Sequence, residues 1–172
     1  MSGLSLDALN RASERGFVEA LAGVYEHSDW VAAAVAGLRP FATGGSLAAA
    51  LQAAVLTAGA DRQLALLRAH PELGAGGRLT EYSATEQRGA GLDRLDRDHA
   101  DRLARLNRDY RQRFGFPFII AVRGQRDTAA IITQIERRIA NEAVVEQAIA
   151  LAEVGKIAGF RLDRLLIPAG AP

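Results

Sequence analysis

The sequence has 172 residues, a length that suits one domain able to bury a hydrophobic core without disulfides or a structural metal. Its hydrophobic share of 49% is typical of a globular protein, and a formal net charge of +1 gives no overall field that would attract nucleic acid or an anionic membrane. The absence of cysteine excludes disulfide frameworks, thiolate nucleophiles, zinc ribbons and iron–sulfur clusters.

Neither the N-terminal residues nor the most apolar stretch of the chain resembles a targeting or membrane segment. Residues 1–15 carry Asp7 and Glu14 and lack the apolar centre of a signal peptide. The most apolar stretch, 47–60, is largely alanine, contains Gln52 and is shorter than the roughly 20 residues of a membrane span. We therefore expect a cytoplasmic protein with no membrane partner.

Helical periodicity dominates the first part of the chain. Apolar residues recur at i, i+3, i+4 and i+7 over 17–24 and again over 47–58, as in helices with one buried face. Between them, Asp29 is a candidate cap for a helix over 30–38, which Pro40 ends. The pattern predicts three amphipathic helices.

A fourth helix is expected to begin at Asp61 and to end near His70, because Pro71 disfavours helical geometry in the residue before it. The segment 71–82 contains three glycines and is predicted to be a loop. His70 therefore lies at a loop rim, where a firmly held imidazole with a pKa near neutrality can transfer protons in a pocket. The alternative is a histidine favoured by the dipole at a helix C-terminus.

Three polar side chains, Ser83, Glu86 and Gln87, open a long charged stretch. Ser-x-x-Glu is the pattern of a capping box, and this local role accounts for Ser83 and Glu86. Alternatively, the hydroxyl, carboxylate and amide face a ligand at a helix N-terminus, where unpaired amides favour negative charge. Both interpretations stay open on the residues alone.

The charged stretch continues through Arg88–Arg113, where arginine and aspartate alternate at i, i+4 spacing and keep an exposed face hydrated. His99 completes the apolar stripe of this stretch and is expected to pack there or to lie at the edge of the surface, while His27 is expected to lie in a linker. A non-enzymatic module that binds a partner or nucleic acid through these arginines is the alternative to an enzyme. A binding stripe would, however, segregate its arginines from acidic residues.

One segment departs from helical periodicity. Phe114–Val122 is apolar, β-prone and interrupted by Gly115 and Pro117, but no other part of the chain offers a partner strand. We expect an extended segment packed among helices and lining a pocket, whose buried amides and carbonyls need hydrogen-bond partners. Those partners are either side chains and water, or a polar ligand with several N–H and C=O groups.

The last part of the chain predicts a helix opened by Asp127 and a final helix over 142–166. Arg161 lies on the inward face of the final helix, and Arg164 lies at a neighbouring angle. A buried guanidinium needs an internal carboxylate or an anionic ligand. The other inward positions are predicted to be Val145, Ala148, Ala152, Val154, Ile157 and Ala158.

Together these patterns predict an all-α, single-domain bundle of about seven to eight helices over residues 1–172, with a core of about 4–166. No two of the three histidines have the short spacing of metal ligands, so we expect no metal.

Several short motifs follow one another along the chain: Glu26-His27-Ser28-Asp29-Trp30-Val31, Arg39-Pro40-Phe41, His70-Pro71-Glu72-Leu73, Ser83-Ala84-x-Glu86-Gln87, Phe114-Gly115-Phe116-Pro117-Phe118-Ile119 and Lys156-Ile157-x-x-x-Arg161-Leu162. In this order and spacing the chain resembles the OHCU decarboxylases, which act on 2-oxo-4-hydroxy-4-carboxy-5-ureidoimidazoline in urate breakdown. The resemblance covers roughly residues 4–166. One departure is Glu72, where the family more often has aspartate.

The resemblance implies an all-α enzyme, usually a homodimer, that needs no cofactor, binds no nucleic acid and yields (S)-allantoin. It implies that His70 is the catalytic histidine and that Glu86 is its partner carboxylate, which sets the tautomer and charge of the ring. A relative of the same fold that acts on another small ureide is a further possibility, because specificity can depend on one or two contacts. The implied substrate contacts are Pro71, Ser83, Gln87, Arg161 (its carboxylate anchor) and the backbone of Phe118, Ile119, Ile120, Ala121 and Val122.

Overall fold

The computed structural model describes residues 4–74 and 79–166, and within these residues the only regular elements are helices. One turn of 3-10 helix, Ala36–Leu38, follows the third α-helix, and an isolated parallel bridge pairs Leu4 with Leu166. The α-helices of the described residues are α1 (Leu6–Arg11), α2 (Glu14–Ala20), α3 (Trp30–Val35), α4 (Gly44–Thr57), α5 (Ala60–Ala69), α6 (Glu81–Gly89), α7 (Arg97–Phe114), α8 (Thr128–Arg138) and α9 (Ala143–Leu165).

The predicted all-α fold is confirmed, with more helices than the seven to eight expected. The short α1 was not predicted, and the charged stretch expected as one element forms two helices, α6 and α7. Among the helices in the described part of the chain, none combines the length and hydrophobicity needed to span a bilayer.

The described residues form two compact units. The first contains 4–63 and 155–166, and the second contains 64–74 and 79–154. The chain passes between the units within α5 and within α9, so each of these helices contributes residues to both.

The first unit is organised by capped helices that bury the predicted apolar positions. Thr43 and Ser46 form a capping box at the start of α4, so this helix begins at Gly44. In contrast, Asp29 precedes α3 without a side-chain capping bond. The buried apolar residues include Phe17, Leu21, Val24, Val31, Val35, Leu47, Leu51 and Val55.

In the second unit, α6 begins earlier than predicted. The hydroxyl of Thr80 accepts a hydrogen bond from the Ser83 amide, so Thr80 is the N-cap. Ser83 consequently lies in the first turn of α6, and the predicted capping box of Ser83 and Glu86 is wrong. The sequence analysis considered only Ser83 as a cap, three residues after the residue that the structure uses.

The other helices of this unit begin and end as their sequence suggests. Asp127 caps α8 by accepting from the Ala130 amide, which confirms that prediction. Asp96 caps α7, and Gly115 ends it in the left-handed region with φ of 76°, which glycine adopts without a steric penalty. Helix α5 begins at Ala60, so Asp61 lies in its first turn and is not its cap.

The inward face of α9 differs from the predicted one. Val145, Ala148 and Ala152 are exposed, whereas Glu146 is fully buried. The apolar pattern assigned the inward position to Val145, but buried donors in the second unit hydrogen bond the neighbouring carboxylate. Further along the helix, the prediction holds for the buried Val154 and Ala158.

The Thr80 cap leads to a test of stability. Replacing Thr80 with alanine should lower the free energy of unfolding by about 0.5–2 kcal/mol, because the Ser83 amide loses its acceptor. Urea denaturation measures this change. Thr133→Ala is a matched control, since the Thr133 hydroxyl bonds only to the Ala129 carbonyl inside α8. Equal stability of Thr80→Ala and the parent protein would show that Thr80 does not cap α6.

The Asp96 cap leads to a test of pH dependence. Hydrogen bonds from the His99 amide and ring lower the pKa of Asp96 below its usual value. A carboxyl whose pKa is lower when folded stabilises the protein above its unfolded pKa, and this contribution disappears as pH falls through the folded pKa. As the pH falls below about 4, the urea midpoint of Asp96→Asn should therefore decrease less than that of the parent protein. Parallel curves for the two proteins would contradict this origin.

Candidate active site

The ring of His70 is held at the end of α5 by the main chain. Its Nδ1 lies 2.9 Å from the carbonyl oxygen of Leu66, and the residue is only 6% exposed. Because a carbonyl only accepts hydrogen bonds, Nδ1 carries a proton in this contact, and Nε2 is the ring atom at which a proton could be taken up or given. The Leu66 carbonyl therefore holds the Nδ1 proton, and the predicted effect of Glu86 on the ring stays a prediction.

The chain after His70 is held by a buried amide from α6. Gln87 Oε1 accepts from the Gly74 amide at 3.0 Å, and Gln87 Nε2 donates to the Glu72 carbonyl at 3.2 Å. Both ends of this side chain thus bind the His-Pro-Glu-Leu-Gly loop. Gly74 has a positive φ of 70°, and a Cβ there would lie 2.9 Å from Leu103 Cδ2, so the loop requires glycine at this position.

Helix α7 holds the same loop through two further side chains. Asn107, which is buried, donates from Nδ2 to the Leu73 carbonyl at 2.9 Å. Arg111 Nη1 lies 3.1 Å from Glu72 Oε1, so Glu72 forms an ion pair with this helix. Sequence analysis missed Asn107. The sequence signal that could have revealed it is its position four residues after the apolar Leu103, which places a polar residue on the buried face of the helix.

The polar residues of α6 lie close to one another along this helix. Ser83 and Gln87 are four residues apart and both buried, which places them on one inward face. Glu86, the residue before Gln87, is half-buried. Because Thr80 already caps the helix, the Ser83 hydroxyl and the Glu86 carboxylate are not needed as a capping box. Their burial is the property expected of groups at a pocket.

The apolar segment that follows Gly115 has neither helix nor strand over 117–122. Arg138 Nη1 donates to the carbonyl of Ile119 at 2.8 Å, and Glu153 Oε2 accepts from the amide of Ala121 at 2.8 Å. The sequence left open whether side chains or a ligand satisfy this backbone. At these two positions side chains do so.

Ile120 lies between those two contacts, and within the described part of the chain its own amide and carbonyl are not bound by a side chain. Among residues 4–74 and 79–166, no hydrogen bond reaches the amide or carbonyl of Ile120, although the residue is buried. Gln125 binds the carbonyls at the end of the segment. Its side-chain Nε2 donates to the Ala121 carbonyl at 3.3 Å, and its backbone N–H donates to the Val122 carbonyl at 3.1 Å. Some backbone groups of this segment are therefore bound by side chains or by the main chain of Gln125, whereas the amide and carbonyl of Ile120 can bind a ligand.

In the first unit, Arg161 meets a carboxylate inside the protein. Its Nη1 donates to Glu26 Oε2 at 2.8 Å and to the Gly23 carbonyl at 2.9 Å, and both charged side chains are almost fully buried. Arg164 is exposed, so burial distinguishes two arginines that periodicity could not. Glu26 is followed by His27 at a positive φ of 45°, a conformation that few residues other than glycine adopt.

Three arginines of the charged stretch bind other parts of the same chain, which disfavours a continuous free basic surface there. Arg102 pairs with Glu136 of α8, and Arg113 donates to the carbonyl of Asn141 at 3.0 Å. Arg111 is engaged by Glu72 as described above. In the described residues, no three histidine or carboxylate side chains are grouped as metal ligands would be.

Comparison with known proteins identifies relatives over nearly the whole chain. The family model described as OHCU decarboxylase matches residues 10–163. A "2-oxo-4-hydroxy-4-carboxy-5-ureidoimidazoline decarboxylase" of Haloferax volcanii is 43% identical over 162 residues, covering 94% of this chain and 96% of that protein. The protein of the same name from Halalkalicoccus jeotgali is 40% identical, covering 98% and 95%.

Two solved structures share the fold. The crystal structure of an (S)-allantoin synthase superposes with a TM-score of 0.78 at 30% identity over 95% of this chain, which spans 54% of that longer protein. The structure of an OHCU decarboxylase in the presence of (S)-allantoin superposes with a TM-score of 0.67 at 24% identity, covering 83% and 94% of the two chains.

The Asn107 contact gives a test of how the loop after His70 is held. Asn107→Ala should lower the free energy of unfolding by about 1–3 kcal/mol, because the Leu73 carbonyl loses its donor. Asn107 Oδ1 has no hydrogen-bond partner among the described residues, so the loss reports the Nδ2 contact. Gln112→Ala, an exposed change on the same helix, should stay within about 0.5 kcal/mol. Urea denaturation of both variants checks the difference, and similar values would exclude a structural role for the Asn107 contact.

Proposed function

This chain belongs to the OHCU decarboxylase family, and on that premise we propose that it converts 2-oxo-4-hydroxy-4-carboxy-5-ureidoimidazoline to (S)-allantoin. In this proposal it is a carboxy-lyase of urate breakdown that uses no cofactor. The observation that carries the proposal is the buried His70, whose Nδ1 is fixed by the Leu66 carbonyl and whose loop is held by Gln87. A histidine held in this way has one defined atom for proton transfer.

The reaction needs a place for the electron pair that decarboxylation leaves behind. When the C–C bond to the carboxylate breaks, carbon dioxide departs and the pair stays on the ring carbon. In this substrate that carbon adjoins a ring C=N bond, so the substrate delocalises the pair itself. The pair moves onto the C=N nitrogen, which takes up a proton. The hydroxyl on the first carbon then loses its proton to become a carbonyl, while a proton adds to the neighbouring carbon, which carries the ureide. The protein has to supply a proton donor, donors to the developing charge and a closed environment.

We assign the proton transfers to Nε2 of His70. Neutral Nε2 accepts a proton from the substrate hydroxyl, whose carbon becomes a carbonyl, and protonated Nε2 gives a proton to the neighbouring, ureide-bearing carbon. Glu86, which is half-buried, would favour the charged state of the ring through its negative charge. Because one fixed acid approaches the planar intermediate from one side, the product is formed with a single handedness.

Substrate binding in the second unit is assigned to its polar groups. Ser83 and Gln87, with Pro71 beside the histidine, would contact the ring and the ureide. The backbone of Phe118–Val122 would pair with N–H and C=O groups of the substrate. Contacts from Ser83 and Gln87 to the ring, where negative charge develops, should affect turnover more than contacts to the ureide or to the leaving carboxylate.

Arg161 is proposed to bind the substrate carboxylate. A guanidinium suits this role because its planar group of five N–H donors matches carboxylate geometry. Glu26 compensates the buried charge and fixes the orientation of the side chain. Since the carboxylate is bound in the ground state and the transition state alike, Arg161 should contribute mostly to apparent affinity.

The finer predictions on assembly and substrate stay predictions. They are a single-domain organisation, a homodimer and a cytoplasmic location. Action on another small ureide remains the alternative substrate class, and it would show as turnover of that ureide in place of 2-oxo-4-hydroxy-4-carboxy-5-ureidoimidazoline.

A substitution that keeps the Leu66 contact tests the role of His70. In His70→Asn the amide nitrogen replaces Nδ1 as the donor, whereas Nε2 is lost. Mixed with freshly generated substrate, the parent protein should form (S)-allantoin, followed by circular dichroism. The variant should lose about 10²–10⁴-fold in kcat/KM, with its melting temperature nearly unchanged. His99→Ala, a histidine at the start of α7, should keep its activity. Full activity in His70→Asn would refute the assignment.

A further inference from the structure

Two charged side chains hold the main chain on either side of Ile120. Arg138, from α8, donates to the carbonyl of the preceding Ile119, and Glu153, from α9, accepts from the amide of the following Ala121. The sequence analysis assigned no role to either side chain. Both lie in the second unit, as the segment does.

Arg138 is itself fixed by a buried carboxylate. Its Nε and Nη2 both donate to Glu146 Oε1, at 2.9 Å and 2.6 Å, while its Nη1 reaches the Ile119 carbonyl. The guanidinium also stacks over the Phe118 ring, with Cζ 4.6 Å from the ring centroid. One arginine side chain therefore binds both a backbone group and an aromatic ring of the segment.

The carboxylate of Glu146 is fully buried and receives donors from two further residues. Asn141 Nδ2 donates to Oε2 at 2.7 Å, and the Tyr110 hydroxyl donates to Oε1. With every oxygen of Glu146 engaged, the charge is compensated and the arginine has one orientation. The Ile119 carbonyl is thus held by a donor that has little freedom to move.

The spacing of the two contacts decides which backbone groups are left. In an extended chain, the N–H and C=O groups of successive residues point to opposite edges, as they do in a sheet. Ile119 and Ala121 are two residues apart, so their bound groups belong to one edge, where Arg138 and Glu153 take the place of a partner strand. The N–H and C=O of Ile120 belong to the other edge, and within the described residues they make no hydrogen bond.

We propose that Arg138 and Glu153 are positioning residues, which hold one edge of the segment so that the Ile120 amide and carbonyl pair with a ligand at the other. The ligand class is a urea-type group, which carries adjacent N–H donors and a C=O acceptor and so matches an open strand edge. This inference rests on the proposed function, in which the substrate carries such a ureide. The inference limits the substrate contacts predicted for the backbone of Phe118–Val122 to the groups on the same edge as Ile120.

Glu153 offers the sharper test, because it is partly exposed and its replacement should leave the fold intact. Glu153→Ala removes the acceptor for the Ala121 amide, whereas Glu153→Gln keeps an acceptor oxygen. We expect Glu153→Ala to raise KM for 2-oxo-4-hydroxy-4-carboxy-5-ureidoimidazoline about tenfold, with kcat changed less than about threefold, and Glu153→Gln to restore KM. The split is expected because the His70 loop is held separately, by Gln87 and Asn107.

Arg138→Lys tests the other side of Ile120. A lysine keeps the charge beside Glu146 but cannot reach that carboxylate with two nitrogens and the Ile119 carbonyl with a third. KM should again rise about tenfold. Arg102→Lys is the matched control, because Arg102 joins α7 to α8 through an exposed ion pair with Glu136 and should leave KM unchanged.

The outcomes separate this inference from the proposed function. A parent protein that does not turn over the substrate refutes the proposed function itself. An active parent protein with unchanged KM in Glu153→Ala and Arg138→Lys refutes the positioning role, even if their melting temperatures fall. If Arg138→Lys fails to fold, the pair Glu153→Ala and Glu153→Gln decides alone. A raised KM in Glu153→Gln equal to that in Glu153→Ala also contradicts the inference.

Discussion

Main-chain polar groups that lie outside helices and are buried need partners, and this constraint governs the second unit. The loop after His70 and the segment around Ile120 contain no regular element that could supply those partners. Side chains from neighbouring helices supply them instead. Gln87 and Asn107 bind the loop, and Arg138 binds the segment. These polar residues are part of the core because the backbone beside them cannot satisfy itself.

The same constraint explains two buried ion pairs. Arg138 meets Glu146 in the second unit, and Arg161 meets Glu26 in the first. Burying two charges is costly, and an apolar pair is often as stable, so such pairs are better explained by geometry than by stability. Each fixes a guanidinium in one orientation beside a backbone carbonyl. Burial, and then hydrogen bonding to Glu146, raise the pKa of Tyr110, which keeps its hydroxyl protonated as a donor.

A decarboxylase whose substrate provides its own electron sink places a particular demand on the protein. It has to hold the substrate and deliver one proton from a defined side, so the rigid placement of its groups matters more than the supply of a further electron acceptor. The fixed tautomer of His70 and the separately held segment meet that demand in different ways. The first defines the atom that exchanges the proton. The second, in our proposal, defines where the ureide lies when it does so.

Local sequence determined most of the helices, the end of α5 near His70, the cap at Asp127 and the buried position of Arg161, because each follows from periodicity or from residues within one turn. Motif order determined the family and the candidate site residues. Only the tertiary structure decided that Thr80 caps α6 and that Glu146 replaces Val145 on the inward face of α9. It alone also revealed Asn107 and Arg138, whose partners lie 34 and 19 residues away in sequence. A pattern of apolar residues cannot show where a buried polar group finds a distant partner, since that depends on which helices pack together.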